Sequence, residues 1–201
     1  MKKYIILGFV LTALFANGQE ISRDSVQKAS VEKNLFGVQF SGSLSLTYET
    51  RLSSKVALRN EIGIGLISSV LKSNNPDIDD KTVYLIVPFF VIEPRWYYGL
   101  DRGMKLGRNI KNNSSSYVSL KTIYFSNRTP IVNFNNAKIV SNLNIIPEFG
   151  IRRVFAKHFN FEFAGGIGYQ YNIFDEKDGC NCKHNKIAYD LQVSIGYNFK
   201  S

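Results

Sequence analysis

A chain of 201 residues is one domain's worth of polypeptide, and 44% hydrophobic content excludes disorder for want of apolar residues. The 15 Phe and 11 Tyr, beside 15 Gly, favour strands over helices. A formal charge of +9 suits an anionic surface, yet the basic residues gather into no arm or helix, so nucleic acid is not expected as a partner.

The N-terminus reads as an export signal. Met1-Lys2-Lys3 is positive, and Tyr4 to Ala16 is an apolar run too short to cross a bilayer as a helix. Ala16-Asn17-Gly18 then places small residues where a signal peptidase cuts. Residues 1–18 are expected to be a helical signal peptide, with an N-terminal anchor helix as the alternative. No cysteine follows the apolar run, which argues against a lipid anchor there. Residues 19–33 are polar and patternless, and read as a flexible lead-in or a short helix.

From residue 34 to the end the period becomes two, the signature of strands with one apolar face. Leu35–Arg51 alternates Phe36, Val38, Phe40, Leu44, Leu46 and Tyr48 with polar residues. Val56–Ile67 follows, then a polar loop of residues 68–81 with Asn74-Asn75-Pro76-Asp77 at its tip. Thr82–Tyr98 is the most apolar run and alternates clearly only near Glu93 and Arg95. A basic link, Gly99 to Ser116, leads to Tyr117–Phe125 and a second loop, Ser126–Asn142. Leu143–Phe155, a tight Ala156-Lys157-His158 turn, Phe159–Tyr171, a third loop and Lys186–Phe199 complete the chain.

Seven strands of roughly 10 to 17 residues exceed the usual five or six and suit a bilayer crossing. Short and long connections alternate, the basic link excepted. A single-chain barrel needs an even number of strands, so about eight are expected. The eighth is sought in residues 19–33, in the basic link or in Ser126–Asn142. The expected fold is an all-β, antiparallel up-and-down transmembrane barrel.

Alternation alone does not say which face is oily, because a soluble barrel gives the same period. The polar face carries Glu49, Arg59, Glu61, Glu93, Arg95, Lys121, Glu148, Arg152, Glu162 and Asp190, with Gly, Ala and Ser between them. Charges of both signs two apart, as in Arg59/Glu61 and Glu93/Arg95, suit an ion-pair network in a narrow lumen, although solvated surface pairs would look alike. The end of the chain breaks the tie. Leu191, Val193, Ile195, Tyr197 and Phe199 alternate up to a near-terminal Phe, with Lys200 and Ser201 beyond it.

That ending resembles the signal by which outer-membrane barrels are assembled. With the export signal, the chain from about Leu35 to Phe199 resembles the small outer-membrane β-barrel superfamily, the OmpA/OmpW/porin-like group. The stretch Glu93-Pro94-Arg95-Trp96-Tyr97-Tyr98 resembles a motif of uncharacterised barrel-domain proteins. The resemblance implies the outer membrane of a Gram-negative bacterium, lipids and the barrel-assembly machinery as partners, and a loop partner still to be identified.

Candidate sites are few. His158 and His184 lack a serine and an acid flanking them on one strand face, so no hydrolase is expected. Cys180, Cys182 and His184 could hold a soft metal, but one residue between the cysteines is fewer than a zinc pair uses, and a disulfide or inert thiols are the competing readings. No cofactor is expected. Arg102, Lys105, Arg108 and Lys111 recur every three residues, and Gly103 and Gly107 weaken the helix that would align them, so a solvated run is favoured over a headgroup-binding stripe. The functional expectation is a non-enzymatic barrel with a narrow, plugged lumen, serving the envelope or acting as a very restricted channel. A carrier of small hydrophobic molecules is the alternative; it needs an apolar lumen, and only Ile67 and Ile123 stand out on the inner face. A soluble secreted ligand-binding barrel is the third reading.

Overall fold

The computed structural model describes residues 28–71, 81–126, 132–133, 141–173 and 185–199. Its strands are β1 (Asn34–Phe40), β2 (Ser43–Arg51), β3 (Val56–Leu71), β4 (Lys81–Trp96), β5 (Ser116–Phe125), β6 (Val132–Asn133), β7 (Ser141–Phe155), β8 (Phe159–Ile173) and β9 (Asn185–Asn198). A helix α1 (Leu100–Lys105) and a 3₁₀ turn (Lys111–Asn113) lie between β4 and β5. All pairings are antiparallel and run β1-β2-β3-β4-β5-β7-β8-β9 and back to β1, so eight strands close a barrel. The two-residue β6 only adds to the ladder of β4, opposite Leu85 and Ile86.

The eighth strand comes from none of the three places expected. The run Leu35–Arg51 is a hairpin, not one strand. Its turn places Gly42 at φ +73, a left-handed conformation that costs glycine little. Phe40 faces Leu44 and Gln39 faces Ser45, so partners share the parity of their numbers. Alternation therefore passes through the turn without a change of phase, and the hairpin imitates a single strand. The link 99–116 holds α1 and the 3₁₀ turn instead of a strand, and residues 28–33 form none.

Chain direction gives the barrel two ends. The turns at 52–55 and 156–158, the basic link, and both ends of the described chain, residue 28 and Phe199, meet at one of them, here the turn end. Connections through residues 72–80, 127–140 and 174–184 join strands at the other, the loop end.

β1 and β2, at 7 and 9 residues, are far shorter than β3 and β9, at 16 and 14. β2 meets β3 only as far as Gly65, and β1 meets β9 only from Ile195 onward. Past those points, residues 66–71 of β3 and 185–194 of β9 flank a notch that no strand fills among the described residues.

The basic link explains its own length by closing the turn end. Leu100 packs with Ala29, Val31, Ala57, Tyr97, Tyr117 and Ala164, and Met104 and Ile110 lean on that cluster. Val31 N–H donates to Ser54 O at 2.9 Å, which holds the segment before β1 beneath the barrel. A short turn could not supply this floor.

Candidate functional site: the charged interior

Side chains two apart on a strand share a face, and facing positions on neighbouring strands are in contact range. Those two rules assemble the interior. Register sets Glu49 against Arg59 and Arg59 against Glu93, while Arg152 faces Glu162 across β7 and β8. The result is a layer of buried charges of alternating sign above the floor.

Glu162 is its centre and is fully buried. Its carboxylate accepts from Arg95 at 2.7 Å, Arg152 Nε at 2.7 Å, Arg59 at 3.4 Å and the Tyr117 hydroxyl at 2.7 Å. Each arginine has a second acid: Arg59 pairs with Glu61 at 2.7 Å, Arg95 with Glu93 at 2.8 Å and Arg152 with Glu49 at 2.8 Å. Arg59 also donates to Gln39, which reaches Ser194 at 2.6 Å. Asn113 donates to Glu49 at 2.7 Å and so ties the floor to the wall. The Arg95 guanidinium lies 4.3 Å from the Tyr117 ring centroid, a cation–π contact. That ring lies where a Cβ on Gly150 would be, so glycine makes room for it. Just past β4, burial raises the Tyr97 phenol above its ordinary pKa and keeps it neutral.

Towards the loop end the packing loosens. Lys121 pairs with Asp190 at 2.6 Å, donates to Gln192 at 2.6 Å, and stands 3.5 Å from buried Glu148. Beside this group a chamber of about 350 Å³ opens at the notch. Phe89, Val91, Ile123 and Phe125 line its wall, and the Ser41–Ser43 turn forms its sill.

All ten charged residues singled out from sequence point inward; Asp190 alone keeps moderate exposure. The inner face is more apolar than expected. Val87, Phe89, Val91 and Ile146 are buried there. In β4 both faces are apolar, which hides the alternation that would have revealed them. Ile67's side chain lies outside the described residues. Gln39, Tyr97, Asn113, Tyr117 and Ser194 also escaped the sequence reading. Tyr97 and Tyr117 were findable, since they continue the odd-numbered faces of Glu93/Arg95 and Lys121.

Among the described residues, the other candidates take no part in this network. His158 stacks on Tyr197 at 5.5 Å, and its Nδ1 lies 3.1 Å from Asn198 O, in the β7–β8 turn. Cys180, Cys182 and His184 fall outside the described residues; among those described, no cluster of three metal-ligating side chains occurs. Arg102 and Lys105 sit on α1, Arg108 beyond it and Lys111 in the 3₁₀ turn, so no continuous helix carries them. On β9, Leu191, Val193 and Ile195 are exposed, and Phe199 stacks on Phe36 at 5.4 Å. No family model, no curated protein and no solved structure matches this chain.

Proposed function

We propose that this protein spans the outer membrane of a Gram-negative bacterium as a barrel closed to through-flow. The observation that carries the proposal is its inverted polarity. Among the described residues thirty-two large apolar side chains are exposed, Phe161, Phe163, Tyr169 and Leu191 among them, while the interior is packed with carboxylates and guanidiniums. Water-soluble monomers rarely expose apolar patches beyond a few hundred Å². A soluble ligand-binding barrel would turn its Phe/Tyr face inward, and here that face points out. Strands of 14 to 16 residues also exceed the 9–11 or so that a tilted crossing takes.

On this reading the Glu162 network is a plug. The protein acts as a non-enzymatic envelope or interaction barrel, assembled through β9, with lipids around it and an outer-loop partner. Reconstitution into planar bilayers tests the closed lumen, and wild-type protein should show no steady conductance. Stable ohmic steps from folded, heat-modifiable protein would refute the plug. Recovery of the full chain in a soluble fraction without detergent would refute the membrane reading itself.

The notch favours a second role, the carrier of small hydrophobic molecules. An apolar wall with Lys121 and Asp190 at its base suits an amphiphile entering sideways from the bilayer. A Cβ on Gly65 meets Phe89 and Ser43 only at ordinary contact distances, 3.6 and 3.7 Å, so a larger side chain there can fill the chamber without breaking the ladder. A dansylated fatty acid should bind wild type and lose roughly tenfold or more in affinity in Gly65→Leu, about 1.4 kcal/mol. Equal binding by both would dismiss the carrier.

A further inference from the structure

A cationic feature lies outside the plug, on the rim of the turn end. A cavity of about 280 Å³ is lined by Arg102, Arg108 and Arg153, with Asn109, Ser115 and Ser116 between them. Arg102 comes from α1, Arg108 from the segment after it, and Arg153 from the outer face of β7. Asp101, the acid next to Arg102, pairs with Lys55 at 2.5 Å. Among the described residues no carboxylate forms an ion pair with these three arginines. Arg153 donates to Arg152 O at 2.7 Å and to Ser116 Oγ at 3.4 Å, which leaves much of its fork open. Three guanidiniums drawn around one cavity repel each other unless an anion joins them.

Tyr98 also lines this cavity, and its ring lies 6.0 Å from Trp96 and 5.9 Å from Phe149. Trp96 in turn borders an apolar groove on the outer wall, with Val56, Pro94, Val118 and Leu120. The groove exists because the β4–β5 ladder skips from Ile92↔Thr122 to Arg95↔Ser119, where Pro94 has no N–H to give. A cationic pocket and an oily groove thus meet at an exposed Trp/Tyr pair, the residue types that favour a membrane interface.

We infer that this rim is a binding site for one anionic phospholipid, its phosphodiester held by Arg102, Arg108 and Arg153 and an acyl chain laid in the Trp96–Leu120 groove. Guanidiniums bind phosphate oxygens in pairs, which a lysine does not reproduce. The apolar groove selects a lipid over a free phosphate ion. The inference rests on the membrane reading, because the groove needs acyl chains beside it.

The test is native mass spectrometry of the full chain in mild detergent with phosphatidylglycerol added. Wild type should retain one lipid, and Arg102→Ala/Arg108→Ala/Arg153→Ala should lower that retention about tenfold or more. Leu120→Trp, which crowds the groove and keeps every charge, should lower it as well. Lys105→Ala/Lys111→Ala, outside the cavity, should leave it unchanged. The unboiled gel band reports folding for each variant. Should the alanine triple fail to fold, the three arginines changed to lysine keep the charge and must still weaken retention. Equal retention in wild type and folded variants overturns the site, and so does loss of the lipid to inorganic phosphate alone. In either case the barrel would still need detergent, whereas protein soluble without it would sink the membrane reading and this inference together.

Discussion

The two halves of the interior are built from the same alternating strands, and they are different materials. Near the turn end, eight strands and the basic link surround the charges, and Glu162 has four donors. Near the loop end the short β1–β2 hairpin drops out of the wall, and Lys121 serves two carboxyls beside an open chamber. An ion pair's worth here depends on how completely the wall around it is closed. Water excluded on all sides makes each unpaired charge costly; an open side lets solvent or a ligand compensate.

The largest expected effect breaks the closed half. Glu162→Leu strands three guanidiniums without their common acid, and removing one partner of a buried ion pair costs about 3–5 kcal/mol. The temperature at which the unboiled gel band converts should fall sharply. A Glu162→Leu protein as heat-resistant as wild type would mean the network carries no stability. Next comes Gly150→Val, which places a side chain where the Tyr117 ring lies and pushes its hydroxyl from Glu162. Overpacking of this kind costs roughly 1–3 kcal/mol, read from a urea midpoint in detergent. Smallest is Asp190→Asn in the open half, where the side chain is 22% exposed and Glu148 remains near Lys121. Stability should change by less than about 1 kcal/mol. If Asp190→Asn cost as much as Glu162→Leu, the contrast between the halves would be lost.

Much of the candidate site was legible as alternation. Glu93 and Arg95 share a face because they are two apart, and Arg152 meets Glu162 because a tight turn at 156–158 sets their register. Val87, Phe89 and Val91 were not legible, since a strand apolar on both faces has no period to read. The β1–β2 turn was hidden for the opposite reason, its phase being unbroken.

The local grammar is written in the residues: strands of period two, one oily face, one charged face, and turns where glycine or polar residues permit them. Those follow from backbone geometry and the parity of side chains, which operate within a few residues. Which strands meet, which charge finds which partner, and where the wall is left open were decided by tertiary closure. β1 must reach β9, from the other end of the chain, to close the barrel, and only that pairing shows the hairpin to be too short to seal its upper half. Of the three arginines of the rim, Arg102 and Arg108 stood in the sequence as members of a basic run read as solvated, and nothing there singled out Arg153. They became a cavity because the link folds under the barrel and brings Arg102 and Arg108 beside Arg153.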